Sequence, residues 1–209
     1  HLSLRRQRQM CIRDSINIFE GPEMNVWIRT SNGYSIYDYK TGKFDNDYKT
    51  TLEKLKIPSK NILRIGKTPK NEFWAYDHSK IYILNIDNNS LKAYPLSIEK
   101  ISNISIGVQY IYVMYSNGVL YSINKQTSET REITIPAIYK PLLEDHEPHV
   151  YTDQSESIWI YTYQNSLLLY KSNLTQQWED ICLNSCNDIQ YNRCLLYTSD
   201  AADEGLGVD

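Results

Sequence analysis

Four stretches of the chain set an aromatic between apolar neighbours: Val26-Trp27-Ile28, Phe73-Trp74-Ala75, Ile111-Tyr112-Val113 and Ile158-Trp159-Ile160. Each is followed by a short polar turn and a second run rich in Tyr, Ile or Leu. The central aromatics lie 47, 38 and 47 residues apart (74−27, 112−74 and 159−112). Alternating and continuous apolar runs of this length, bounded by turn residues, predict β-strands rather than helices.

Within each copy the pattern predicts at least three consecutive antiparallel strands. In the first, Asn25 to Thr30 forms a strand, Ser31-Asn32-Gly33 turns the chain, Tyr34 to Tyr39 returns, and Lys40 to Lys43 turns it again before Phe44. Asn-Gly is a strong hairpin signal because both residues tolerate the positive φ of a type I′ turn. The third copy repeats it with Ile111 to Tyr115, Ser116-Asn117-Gly118 and Val119 to Ile123. The second and fourth copies turn instead at His78-Ser79-Lys80 and Gln164-Asn165-Ser166. Preceding strands are predicted at Ile16–Phe19, Ile62–Ile65, Ile104–Val108 and His149–Thr152. Helical periodicity is confined to Thr51–Leu55, which Pro58 is expected to end.

A period of roughly 40–50 residues with four short strands is that of a propeller blade. The runs Ile81–Leu84, Tyr110–Met114 and Leu167–Leu169 are apolar on both faces, as expected of sheets covered on each side. A sandwich would more often leave one face polar and would lack the period. The expected fold is all-β, a β-propeller fragment of about four blades near residues 16–57, 60–100, 101–140 and 147–193; an open arc is one arrangement this allows.

The two ends read differently. Arg5 to Asp14 back-translates to CGT CGG CAG CGT CAG ATG TGT ATA AGA GAC, followed by AG for the start of Ser15. The reverse complement of that string, read one base in, encodes the residues from Cys194 to Asp203 in order. Opposite strands of one oligonucleotide at both ends are the expected mark of a translated sequencing adapter. Residues 1–15 and 194–209 are therefore set aside from fold reasoning, along with the basic run Arg5-Arg6-Gln7-Arg8 and the acidic tail. The chain is expected to be a window on a longer protein.

Without those ends, 18 basic and 20 acidic side chains remain (22−4 and 25−5), a net charge near −2. Such a balance lacks the clustered Lys and Arg from which nucleic-acid affinity arises, so no nucleic-acid contact is expected. No run approaches the ~18 apolar residues of a membrane span. Cys182 and Cys186 are the cysteines left; four apart and without a neighbouring His, they make a poor zinc site. They fit two free thiols or a local disulfide.

Trp27, Trp74, Tyr112 and Trp159 recur at one blade position and are read as blade-packing residues, with Asn32-Gly33 and Asn117-Gly118 as hairpin turns. Eighteen Tyr against three Phe would suit stacking on sugar rings, but AT-rich codon usage accounts for the same excess. The segment Glu144 to His149 gathers carboxylates and two His, in a spacing that matches neither a His-Glu-x-x-His helix nor an EF-hand loop. Pro148 marks it as an exposed connection. Asp145, His146, Glu147 and His149 are therefore a candidate recognition loop at the propeller rim. No metal site, cofactor or catalytic constellation is expected.

The segment from Val26 to Phe44, with Trp27-Ile28-Arg29-Thr30, Asn32-Gly33, Ile36-Tyr37-Asp38 and Thr41-Gly42-Lys43, resembles the two-component regulator propeller repeat. Arg29 stands where that repeat usually has Gly, and Tyr112 replaces Trp in the third copy. The resemblance implies the periplasmic sensory region of a bacterial hybrid two-component system. It further implies additional blades, a connecting immunoglobulin-like domain, one membrane helix, a histidine kinase, often receiver and helix-turn-helix domains, and a homodimeric parent. Such sensors detect carbohydrate breakdown products, so an oligosaccharide or other small molecule is the implied ligand. Two other classes stay open: a protein-interaction propeller, and part of a carbohydrate-active propeller lyase or hydrolase. The signalling chemistry itself is expected to lie elsewhere in the parent.

Overall fold

The computed structural model describes residues 17–181 except 31–32, 98, 145 and 164–166, and leaves aside the side chain of residue 24. The readings made for Ile16, Asn32, Asp145, Gln164 to Ser166, Cys182, Cys186 and both termini fall outside those residues. Among the described residues sixteen strands form four antiparallel sheets of four, each in chain order, the blade unit of a β-propeller. The chain divides into two compact units, residues 1–100 and 101–209.

In the first unit, β1 (Asn17–Glu20), β2 (Val26–Thr30), β3 (Gly33–Asp38) and β4 (Lys43–Asp45) make one sheet. The second comprises β5 (Arg64–Lys67), β6 (Glu72–Tyr76), β7 (Lys80–Asn85) and β8 (Ser90–Pro95). Burial of Trp27, Ile36 and Leu52 against Phe73, Ala75 and Leu84 joins them. Full burial of a Leu, Ile or Phe side chain gives roughly 1.5–3 kcal/mol.

Between the two sheets runs α1 (Tyr48–Lys54), longer at its start than the periodicity suggested. Asp47 caps it, accepting from the Thr50 N–H at 3.3 Å and the Thr50 hydroxyl at 2.6 Å. It ends before Pro58 is reached: Lys56 takes a left-handed φ of 61°, and the Ile57 N–H bonds the Leu52 carbonyl at 2.9 Å. That reversal, a Schellman-type cap, buries Leu52 and Ile57 in the same core.

The second unit holds β9 (Ile101–Ile106), β10 (Tyr110–Tyr115), β11 (Leu120–Asn124) and β12 (Thr130–Ile133). Its other sheet is β13 (His149–Thr152), β14 (Ile158–Tyr161), β15 (Leu168–Lys171) and β16 (Trp178–Asp180). Their core packs Tyr112, Met114 and Leu120 against Val150, Ile160 and Leu169. The sequence pattern did not predict a helix here, yet a 3₁₀ turn at Ala137–Tyr139 leads into α2 (Lys140–Leu143). Four residues are too few to show a helical period, and Pro141 fits only because it sits in the first turn. The helix buries Leu143 over Gly118, whose φ of +77° and a Leu143 Cβ lying 3.1 Å from where its own Cβ would stand both favour glycine.

A turn motif recurs in all four sheets. Asp38, Asn85, Asn124 and Ser172 each end the third strand, or directly follow it, and accept a hydrogen bond from the backbone N–H two residues on, at 2.8, 3.0, 2.8 and 3.2 Å. The residue four further on is left-handed in every case: Gly42 (φ 66°), Asn89 (52°), Ser128 (61°) and Gln176 (58°). Short polar side chains serve here because they reach their own backbone two residues ahead.

Candidate functional site

The recurrent aromatics share one ladder position. Trp27 pairs with Ile36, Trp74 with Ile83, Tyr112 with Ser122 and Trp159 with Tyr170, and each partner lies two residues before the turn-capping residue. Their burial nevertheless splits. Trp27 and Tyr112 are buried in the core between the two sheets of their unit. Trp74 and Trp159 are half-buried, because their neighbours Phe73 and Ala75, or Ile158 and Ile160, are the ones that face that core. The first sheet of each unit thus turns the aromatic position toward its partner sheet, and the second turns it away.

The hairpin residues are placed as follows. Gly33 opens β3 with φ +123° and Gly118 has φ +77°. Asn117 is exposed and accepts from the Val119 N–H at 3.1 Å.

Among the described residues of the loop 144–149, the side chains do not converge. His146 turns its Nδ1 onto the Glu144 carbonyl at 2.6 Å, and Glu147 is exposed with a left-handed φ of 47°. His149 instead lies in β13, its ring stacked on Tyr161 with centroids 5.1 Å apart and edge-on to Tyr163 at 5.3 Å. Among the described residues no group of three His, Cys, Asp or Glu could hold a metal ion.

The structure offers a different site. In the second unit a cleft of about 290 Å³ lies between the third and fourth sheets, lined in part by the Asn124 and Ser172 turns. The two sheets are also tied by side chains: the Thr152 N–H bonds the Ser105 hydroxyl at 2.9 Å, and the Trp178 indole N–H bonds the Thr134 carbonyl at 2.9 Å. One wall carries Tyr110, Tyr112, Glu129 and Arg131, the other Glu156, Lys171 and the turn through Gln176.

Each charged group in the cleft has a distinct setting. Glu156 reaches from the β13–β14 turn to the β9–β10 turn, where its Oε1 accepts the backbone N–H groups of Val108 and of Gln109, the latter at 2.8 Å. Its Oε2 accepts the Tyr112 hydroxyl at 3.3 Å. Burial first, and the Glu156 charge second, push the Tyr112 phenol well above its ordinary value. Glu129 is held in a two-pronged grip by Arg131, Nε at 3.0 Å and Nη2 at 3.1 Å. Lys171 donates to the Gln176 side-chain carbonyl, and burial lowers its pKa.

Sequence reading missed this cleft. Glu156, Arg131 and Lys171 occupy different positions in their repeats, so no spacing links them. The usable signal was the stacking of consecutive sheets, which brings the turns of one beside the turns of the next.

No family model matches the chain, and no curated protein matches it. Solved structures do. An auxiliary nutrient binding protein from Bacteroides thetaiotaomicron shares 11% identity over 80% of this chain and 42% of its own, with a TM-score of 0.53. The N-terminal domain of Nup159 shares 12% over 80% of this chain and 47% of its own, with a TM-score of 0.51. The extracellular domain of BT4673 from B. thetaiotaomicron, provisionally assigned to a hybrid two-component system, shares 12% over 80% and 21%, with a TM-score of 0.49. The chain spans less than half the length of each of these three structures. At such identities the likeness is one of fold, and it is propeller-type. No described helix is long and apolar enough to cross a membrane.

Proposed function

We propose that residues 16–193 are part of the periplasmic, ligand-sensing propeller of a bacterial hybrid two-component sensor, and that this part binds an extracellular carbohydrate or similar small ligand without transforming it. The repeat from Val26 to Phe44 supports the family, and a nutrient binding protein of the same fold type is compatible with the role. The cleft between the third and fourth sheets carries the reading: it sets hydrogen-bonding side chains beside tyrosine rings, the mixture that orients a small polar ligand.

Titration calorimetry of the full chain against a panel of mono- and disaccharides is expected to show saturable binding. Asn173→Trp, on an exposed turn that lines the cleft, should abolish it by filling the space. Absence of binding across the panel would sink the reading. Amplifying the gene across both adapter-like junctions addresses the parent: a downstream membrane segment and kinase support the sensor, and an early stop removes it.

A second reading, a protein-interaction propeller, is favoured by the aromatic face of the fourth sheet, where Tyr151 is 57% and Tyr163 67% exposed. Large exposed apolar patches mark interaction surfaces.

A further inference from the structure

We propose that the cleft between the third and fourth sheets selects a hydroxylated carboxylic acid, such as a sugar acid, and that Lys171 is the residue that recognises its carboxylate. This rests on the reading that the chain binds a small ligand.

Both carboxylates of the cleft are already engaged. Glu156 is fixed by two backbone N–H groups and the Tyr112 hydroxyl, and Glu129 by the fork of Arg131. Lys171 differs. It meets no carboxylate among the described residues, and its one hydrogen bond there goes to a neutral amide, Gln176. An ammonium carries three donors, so two remain for a ligand. Burial acts on it without a compensating anion, so an incoming carboxylate would relieve an existing cost rather than compete with an internal partner.

The neutral groups point the same way. The Asn124 side-chain oxygen is occupied by the N–H groups of Gln126 and Thr127, and the Ser172 oxygen by those of Leu174 and Thr175. The Asn124 amide N–H₂, the remaining guanidinium N–H groups of Arg131 and those of Lys171 are then left as donors. These donors suit a ligand that carries acceptors, a carboxylate above all. The Tyr110 and Tyr112 rings supply an apolar wall of the kind that covers a ring face. At about 290 Å³ the space is at the small end of ligand pockets, which favours one ring-sized molecule over an extended chain.

The test is titration of the full chain with D-glucuronate, D-galacturonate, D-glucose, D-galactose and sodium sulfate. The uronates should bind roughly tenfold or more tightly than the neutral sugars, the range of one charge-assisted hydrogen bond. Lys171→Gln and Lys171→Met should remove that preference and Lys171→Arg retain it, while thermal melts confirm that each variant is folded. Equal binding of acidic and neutral sugars overturns the charge recognition but leaves the sugar-binding reading standing. Sulfate binding as tightly as the uronates overturns the sugar acid in favour of a simple anion site. If no compound binds, the broader reading falls too.

Discussion

The hydroxyl of Tyr34 reaches from the first sheet to Ile65 in the second, accepting the Ile65 N–H at 2.8 Å and donating to the Ile65 carbonyl at 3.3 Å. Among the described residues β5 pairs on one side only, with β6, so Tyr34 satisfies both backbone groups at a buried point on its other edge. Burial of that hydroxyl also pushes the Tyr34 phenol above its ordinary value. Tyr34→Phe should leave the Ile65 N–H without a partner and destabilise the unit by about 1–3 kcal/mol. Urea unfolding measures this; a change within error would mean that water replaces the phenol.

Much of the fold was legible in the sequence because the repeat sits in the backbone pattern. One ladder position carries Trp27, Trp74, Tyr112 and Trp159, and a polar residue caps each following turn. Strand ends were less legible: Ile62–Ile65 was expected where β5 runs Arg64–Lys67, and Ile104–Val108 where β9 runs Ile101–Ile106. Ile62 and Leu63 precede the first ladder and Val108 follows the second, while the ends passed over, Gly66-Lys67 and Ile101-Ser102-Asn103, are mostly small or polar, so hydrophobicity alone marks neither limit. The residues of the cleft were not legible, although the stacking of consecutive sheets was. Glu156 and Gln109 are 47 residues apart and meet only because two sheets stack.

Asn85 illustrates the repeated turn away from the cleft, its side-chain oxygen accepting from Asp87 and Asn88 at 3.0 and 3.2 Å. Asn85→Ala should cost about 1 kcal/mol, whereas Asn85→Asp should be tolerated, since Asp38 fills the same place in the first sheet. At Asp38 the Thr41 hydroxyl and the Lys40 N–H hold the carboxyl below its usual value. The stabilisation is therefore complete above the ordinary carboxylate range and is lost as pH falls below about 4. Melts between neutral and acidic pH, compared with Asp38→Asn, which should lack this increment of acid sensitivity, check the sign.

Gly66 lies directly opposite Trp74 in the ladder, and a Cβ at residue 66 would stand 2.4 Å from the indole Cζ2. The ring occupies the space that a side chain would need. Gly66→Ala should displace Trp74 from its stacking on Tyr76, where the centroids are 6.2 Å apart, and cost about 1–3 kcal/mol. A lowered melting temperature with an altered near-ultraviolet dichroism spectrum is the expected result. An unchanged spectrum would show that the ring is not held there.

Alkaline pH should unfold the chain through its buried tyrosines. The Tyr112 phenol is raised by burial and by the Glu156 charge, and Tyr76 by burial. A phenol raised in the folded state keeps its proton after the unfolded chain begins to lose it near pH 10. Stability is then fully present below that pH and falls as pH rises beyond it. Melting temperatures followed from neutral to strongly alkaline pH should drop above about pH 10, less steeply in Tyr112→Phe. An equally steep drop in that variant would assign the effect to other groups.

The fourth sheet turns an aromatic face outward from its unit's core. Ladder pairing sets His149 beside Tyr161, Tyr151 beside Trp159, and Trp159 beside Tyr170, the last two rings 4.4 Å apart. Tyr151 and Tyr163 remain more than half exposed. A contiguous aromatic surface of this kind drives association in water, so sedimentation velocity should show the chain self-associating as its concentration rises. The paired substitution Tyr151→Lys with Tyr163→Lys should return it to monomer. Because both side chains are exposed, it should also leave stability within about 0.5 kcal/mol. Undiminished association of that variant would place the sticky surface elsewhere, and monomers at every concentration in the unsubstituted chain would show that this face is adequately hydrated on its own.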